Sequence, residues 1–240
     1  MKINLVTILC LLSSSIYSYA SDNPCEDFNT LYLQIRDGTI EQDQAVAKIN
    51  ELIPEVRKYF SDNGGKEYSD AEWVFPLRGY SPSSIGGNNG SGYVTKGYNF
   101  FDGNRHGGHP AHDIFIYDSN QDCIDDNTGK PVDVLSMSSG VVVSLEKDWD
   151  VNSDLRGGKF IIIYDTFSDA LFYYAHNNNV IVNIGDIVSP GDKIGEVGRS
   201  GLNAYKKRSP THLHLMFLQV EDGYPKPKNI YTELTNAKTR

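Results

Sequence analysis

Seven short runs rich in β-branched and aromatic residues, 114–117, 141–145, 160–164, 171–174, 180–182, 193–197 and 213–220, follow one another through this 240-residue chain. Turn residues separate them at short intervals. Runs of this length, bounded by Gly, Asn, Asp and Pro, read as strands, and many at close spacing predict an all-β sandwich or barrel. The expected fold class is therefore mainly β, an antiparallel sandwich or barrel-like core.

The text before that region differs. Phe28, Leu31, Leu33 and Ile35, then Ala45, Ile49, Leu52, Ile53, Val56 and Phe60, recur near helical spacing. Pro54 predicts a kink or break in the second run. Asn63-Gly64-Gly65 ends the region. Residues 21–70 are thus expected to form a small helical appendage ahead of a β domain over 71–240. Residues 86–108 are punctuated by Gly pairs, Asn-Gly and Ser-Gly, and predict a loop beside His109, with Tyr93, Tyr98, Phe100 and Phe101 as candidate groove-lining rings.

The first residues read as a targeting segment. Met1-Lys2 is a short positive start, Ile3 to Leu12 is mostly apolar, and Ser18-Tyr19-Ala20 fits the small-x-small cleavage rule. A signal peptide over 1–20 predicts an exported chain, periplasmic or extracellular, with no membrane attachment after cleavage. Export leaves Cys25 and Cys123, and two cysteines in an oxidising compartment predict one disulfide. A net charge of -9 gives no electrostatic footprint for nucleic acid or anionic lipid.

All six histidines lie at or after residue 106. In Thr211-His212-Leu213-His214-Leu215-Met216-Phe217 the alternation is that of a strand. Period two sets His212 and His214 on one face and Leu213, Leu215 and Phe217 on the other. In His109-Pro110-Ala111-His112-Asp113-Ile114-Phe115 a second strand begins at Asp113. His112 then points away from Asp113, and Gly107-Gly108 with Pro110 let the loop carry His109 back over the carboxylate. His109, Asp113 and one of the two strand histidines make a candidate zinc site, open at a fourth position as in catalytic sites. The other strand histidine is free to accept a proton.

These residues resemble the lysostaphin/LytM-type zinc endopeptidases, which cut peptides of bacterial peptidoglycan. HPAHD (His109–Asp113) and HLH (His212–His214) fit that family's HxxxD and HxH. Gly129-Lys130-Pro131-Val132, Tyr173-Tyr174-Ala175-His176, Gly185-Asp186-Ile187-Val188 and Gly198-Arg199-Ser200-Gly201 resemble its other ordered elements. The resemblance covers roughly 73–220. It implies one zinc per chain held by His109, Asp113 and His214, with His212 as general base and His176 beside the reacting carbonyl. It implies a secreted zinc endopeptidase acting on the peptides of peptidoglycan cross-links or bridges. The alternative is a non-catalytic relative that binds wall peptide or activates another hydrolase.

Overall fold

The computed structural model describes residues 23–240, so the expected signal peptide lies outside the described residues. Two helices come first, α1 (Pro24–Asp37) and α2 (Gln42–Asp62). α1 starts where the Asn23 side chain accepts from the Cys25 amide and Pro24 supplies a preset φ. It stops at Gly38, whose φ of 68° no β-carbon residue adopts cheaply. α2 runs on through Pro54, so the expected break does not end it. Ala45, Ile49, Ile53, Val56 and Phe60 are buried along one side, and that packing holds the helix together across the proline.

Ten strands follow: β1 (His112–Phe115), β2 (Asp133–Leu135), β3 (Gly140–Glu146), β4 (Phe160–Asp165), β5 (Ala170–Ala175), β6 (Asn177–Val180), β7 (Ile187–Val188), β8 (Lys193–Val197), β9 (His212–Glu221) and β10 (Tyr224–Pro227). A last helix, α3 (Tyr231–Asn236), closes the chain. Every strand pairing is antiparallel, as expected. The large sheet runs β1-β9-β5-β4-β3-β7, with β10 beside the far end of β9, and the small sheet runs β2-β8-β6.

Period-two alternation sorts the large sheet into two apolar faces. Leu213, Leu215 and Phe217 of β9 share a core with Phe172 of β5 and with Val134 and Ile194 of the small sheet. On the other face Met216, Leu218, Leu171 and Ile162 meet Phe28, Leu31 and Ile35 of α1 and Ile49 and Val56 of α2. The molecule is therefore three layers, small sheet, large sheet and helices. The expected N-terminal helical segment is present, and it packs on the large sheet as a layer of the structure. The reason is visible in β4, Phe-Ile-Ile-Ile-Tyr-Asp, which is buried at every position. A strand apolar on both sides needs cover on both sides.

Two further expectations need correction. Cys25 and Cys123 are free thiols, so the expected disulfide is not formed. Cys25 is fully buried in the first turn of α1, within the helix-side core. Cys123 sits at a φ of 67° in the loop after β1, where its amide donates to Asp118 Oδ2 at 2.9 Å. Each is fixed by its own local structure, and pairing is decided by that geometry rather than by cysteine count. The candidate groove-lining aromatics meet the expectation only in part: Tyr98 and Phe100 border a small cavity with Arg156, Tyr173 and His214, Phe101 packs against the helix-side core, and Tyr93 stacks on the His112 ring.

Candidate metal centre and cleft

β1 and β9 pair in the register that sets Asp113 opposite His214 and Phe115 opposite His212. Directly opposed residues share one face of a sheet. These side chains therefore gather on the helix-side face of the large sheet, at the end where β9 begins. His109 arrives from the preceding loop. Its amide donates to the Val94 carbonyl at 2.7 Å and the Val94 amide donates back to its carbonyl at 2.8 Å, a two-bond clamp that places the ring over Asp113.

His109 Nε2 lies 3.2 Å from Asp113 Oδ1, and His214 Nδ1 lies 3.1 Å from the same oxygen. One donor atom from each of the three lies within 4.8 Å of the others. Two donors of one tetrahedral zinc lie about 3.3 Å apart, given metal–nitrogen and metal–oxygen bonds near 2 Å. The trio therefore fits a single zinc ion in spacing and in chemistry. The second ring nitrogen of His109, Nδ1, is 3.0 Å from the Gly92 carbonyl. A carbonyl only accepts, so Nδ1 carries the proton and Nε2 is left bare toward Asp113, the usual orientation of a metal-binding imidazole. Burial pushes the Asp113 carboxyl up, but the His109 and His214 rings, which donate to it when protonated, outweigh burial and hold the group far below the usual carboxylate range. The acid is an anion at any working pH.

Two more histidines complete the cluster. His212 Nδ1 is 2.7 Å from the Pro210 carbonyl, and His176 Nδ1 is 2.8 Å from the Ser200 carbonyl. By the same argument both rings keep Nε2 unprotonated when neutral. His212 Nε2 lies 3.7 Å from Asp113 Oδ1, and the His176 ring centroid is 4.9 Å from that of His212. His176 occupies the corner between β5 and β6 at a φ of 67°, a strained conformation for a residue with a β-carbon. Burial, with the neighbouring His212 and His214, holds its imidazole well below its ordinary range. The corner is packed by a close approach of backbones: a β-carbon on Gly201 would sit 2.3 Å from the Arg156 carbonyl and 3.0 Å from His176 Nδ1.

His112 points away from this cluster, as period two requires. Its Nε2 is 3.0 Å from Asn229 Oδ1, and its ring lies under Tyr93 with centroids 5.5 Å apart. The glycine-rich loop does wall the site: Gly86, Gly87 and Gly92 border the groove over His109 and Asp113, and the Gly86 amide donates to the Asp113 carbonyl at 2.8 Å.

The cluster opens into a cavity of ≈ 250 Å³ that Arg156, Tyr173, Asn203 and Ser209 also border. Arg156, Asn203 and Ser209 were not singled out from the sequence, because they reach the cleft from loops far apart in the chain; Tyr173 comes from β5, three residues before His176. Arg199 also went unremarked, although it stands inside the Gly-Arg-Ser-Gly element. It is buried, and its guanidinium donates to the carbonyls of Ser209 at 2.6 Å, Lys206 at 3.0 Å and Tyr205 at 3.2 Å. Those bonds shape the 202–210 loop that forms one side of the cleft.

Residues 121–226 match the model of "Peptidase family M23". That stretch contains His176, His212 and His214, while His109 and Asp113 lie just before it. Among solved structures, the catalytic domain of the antimicrobial peptidase lysostaphin from Staphylococcus simulans is 23% identical, with 60% of this chain and 86% of that one covered and a TM-score of 0.39. A LytM from Ruminococcus gnavus, described as a glycyl-glycine endopeptidase, is 29% identical, with 69% and 60% covered and a TM-score of 0.46. A zinc-containing peptidase from Vibrio cholerae is 18% identical, with 73% and 41% covered and a TM-score of 0.40. No curated protein matches the chain. No helix among the described residues is long and apolar enough to cross a membrane.

Proposed function

We infer that this chain is a member of peptidase family M23, whose model matches residues 121–226, and that it is a zinc-dependent endopeptidase that hydrolyses peptide bonds in the cross-links or bridges of peptidoglycan. The observation that carries the reading is the company the trio keeps. His109, Asp113 and His214 supply three metal donors, and His212 and His176 stand beside them in the same cleft with bare Nε2 atoms. A site that only held metal has no use for two bases oriented by backbone carbonyls.

Zinc, when bound, supplies a Lewis acid for the scissile carbonyl and lowers the pKa of its water toward neutrality. The chain's own residues do the rest. His212 Nε2 takes the proton of the attacking water, and the Pro210 carbonyl steadies the imidazolium through Nδ1–H. The same ring then returns the proton to the leaving amine. His176 reads differently from the expectation that it hydrogen-bonds the developing oxyanion. With Nδ1–H committed to Ser200, its neutral form accepts a hydrogen bond at Nε2, so it orients the attacking water and donates to the oxyanion only once protonated.

Export of the chain to the cell envelope, with removal of residues 1–20, belongs to the same proposal, as does a peptidase domain over 71–240 covered by the helical layer. The test is digestion of purified peptidoglycan by the zinc-loaded chain, with and without chelator. New amino termini in the digest identify the bond, and their absence in the loaded sample rejects the reading.

A further inference from the structure

We propose that Arg156 is the anion-recognising group of a subsite in the cleft, aided at longer range by the basic run Lys206-Lys207-Arg208 of the loop that borders it, and that this subsite takes a free carboxylate of the peptide substrate. The peptide identity of that ligand rests on the endopeptidase reading; the recognition of a carboxylate does not.

Arg156 borders the same cavity as His109, Asp113 and His214. Its backbone is pinned by a hydrogen bond from its amide to Asn104 Oδ1 at 2.9 Å, and Nη1 donates to the His106 carbonyl. One arm of the guanidinium is thereby anchored, and the other donors stay available. The 202–210 loop departs from the same place, the Leu202 amide donating to the Leu155 carbonyl at 2.9 Å. Along it stand Lys206, Lys207 and Arg208. Lys206 Nζ donates to Asn203 Oδ1 at 3.0 Å, and Asn203 borders the cavity. The buried Arg199 holds this loop through its three carbonyl bonds, so the position of the basic run is built rather than loose.

The charges are unbalanced. Among the described residues Arg156 has no carboxylate within 4.0 Å, and the one acid that lines its cavity, Asp113, is taken up by His109 and His214. A guanidinium in the cleft with no acid of its own is free to take an anion from outside. A guanidinium anchored on one side presents its remaining donors as a planar fork, which suits a carboxylate and discriminates against the neutral amide of the same shape. The basic run of the bordering loop, in which Lys207 and Arg208 are exposed, attracts the same anion at longer range.

The test uses the full chain, loaded with zinc, carrying His212→Ala so that the probes stay whole. The probes are two fluorescent peptides of wall-type sequence, identical except that one has a free carboxyl and the other a primary amide. The free acid is expected to bind at least about tenfold tighter, the worth of one charge-assisted hydrogen bond. Arg156→Gln should bring the ratio close to unity, and Lys207→Gln with Arg208→Gln, both exposed, should lower it and flatten its salt dependence. Lys48→Gln, exposed on α2 away from the cleft, should leave it unchanged. No preference for the acid, or a preference that survives Arg156→Gln, overturns the proposal. The parent chain with His212 intact separates the two readings: acid preference without cleavage of either peptide sustains the subsite and rejects the endopeptidase, and cleavage of both without preference does the reverse.

Discussion

Asp113 Oδ1 lies 3.1 Å from His214 Nδ1, across a strand register that sets the two residues directly opposite each other on β1 and β9. The site depends on that register. A one-residue slip of β1 would turn Asp113 into the inter-sheet core and bring His112 to the cleft. The slip is prevented from both sides of the strand, by Ile114 in the inter-sheet core and by the bond from the Gly86 amide to the Asp113 carbonyl at 2.8 Å.

Asp113→Ala and His214→Ala should each lose zinc by more than the about 10–100-fold that changes behind the ligands cause. Metal analysis after dialysis against a weak chelator checks this. Full occupancy in either variant would mean that the ion is held elsewhere.

His112→Gln should keep its zinc. The substitution removes the bond to Asn229 and the stacking on Tyr93, so stability should fall by about 1 kcal/mol, as for one hydrogen bond. Thermal unfolding and metal content measured together decide the matter. A zinc-free His112→Gln protein would contradict the observed register.

Leu31→Ala tests the helical layer. Leu31 is 2% exposed, against the large sheet, and truncation should cost about 2–5 kcal/mol. Because helices and sheet share one core, the loss should appear as a lowered single transition. An unchanged midpoint for the β domain would show that the helices fold apart from it.

The unreduced, denatured protein should show Cys25 and Cys123 as two free thiols by mass spectrometry after alkylation. In the native protein Cys25 should resist alkylation at mildly alkaline pH. Burial, aided by the Glu26 carboxylate, pushes its thiol up to about 12, and only the thiolate reacts. A raised pKa keeps the inert thiol form through neutrality, so reactivity should climb only as the pH approaches that value. Rapid labelling near pH 8 would contradict the burial.

Much of the site was legible because strand periodicity is a local rule. Alternation alone paired His212 with His214 and turned His112 away from Asp113, and the β9 register bears both out. The helical layer was legible in part: residues 24–60 read as helical, but their packing as the cover of the sheet that contains the all-buried β4 was not read. What escaped depends on contacts between distant segments. β10 is Tyr-Pro-Lys-Pro, a poor strand by composition, and it survives as an edge pairing only with β9. Arg156 and Arg199 look like ordinary surface residues until the loops that carry them are folded beside the histidines. The disulfide was inferred from compartment and count, which say nothing of where two side chains point.

The most direct test of the account compares the parent chain with His212→Ala, counting zinc and peptide-bond hydrolysis of purified peptidoglycan in the same samples. His212 is assigned to the proton and not to the metal, so His212→Ala should keep full zinc while kcat falls by about 10²–10⁴-fold with little change in KM. Loss of zinc from that variant would contradict the division of roles between His212 and His214. Undiminished hydrolysis, or a zinc-loaded parent chain that cuts nothing, would contradict the catalytic assignment itself.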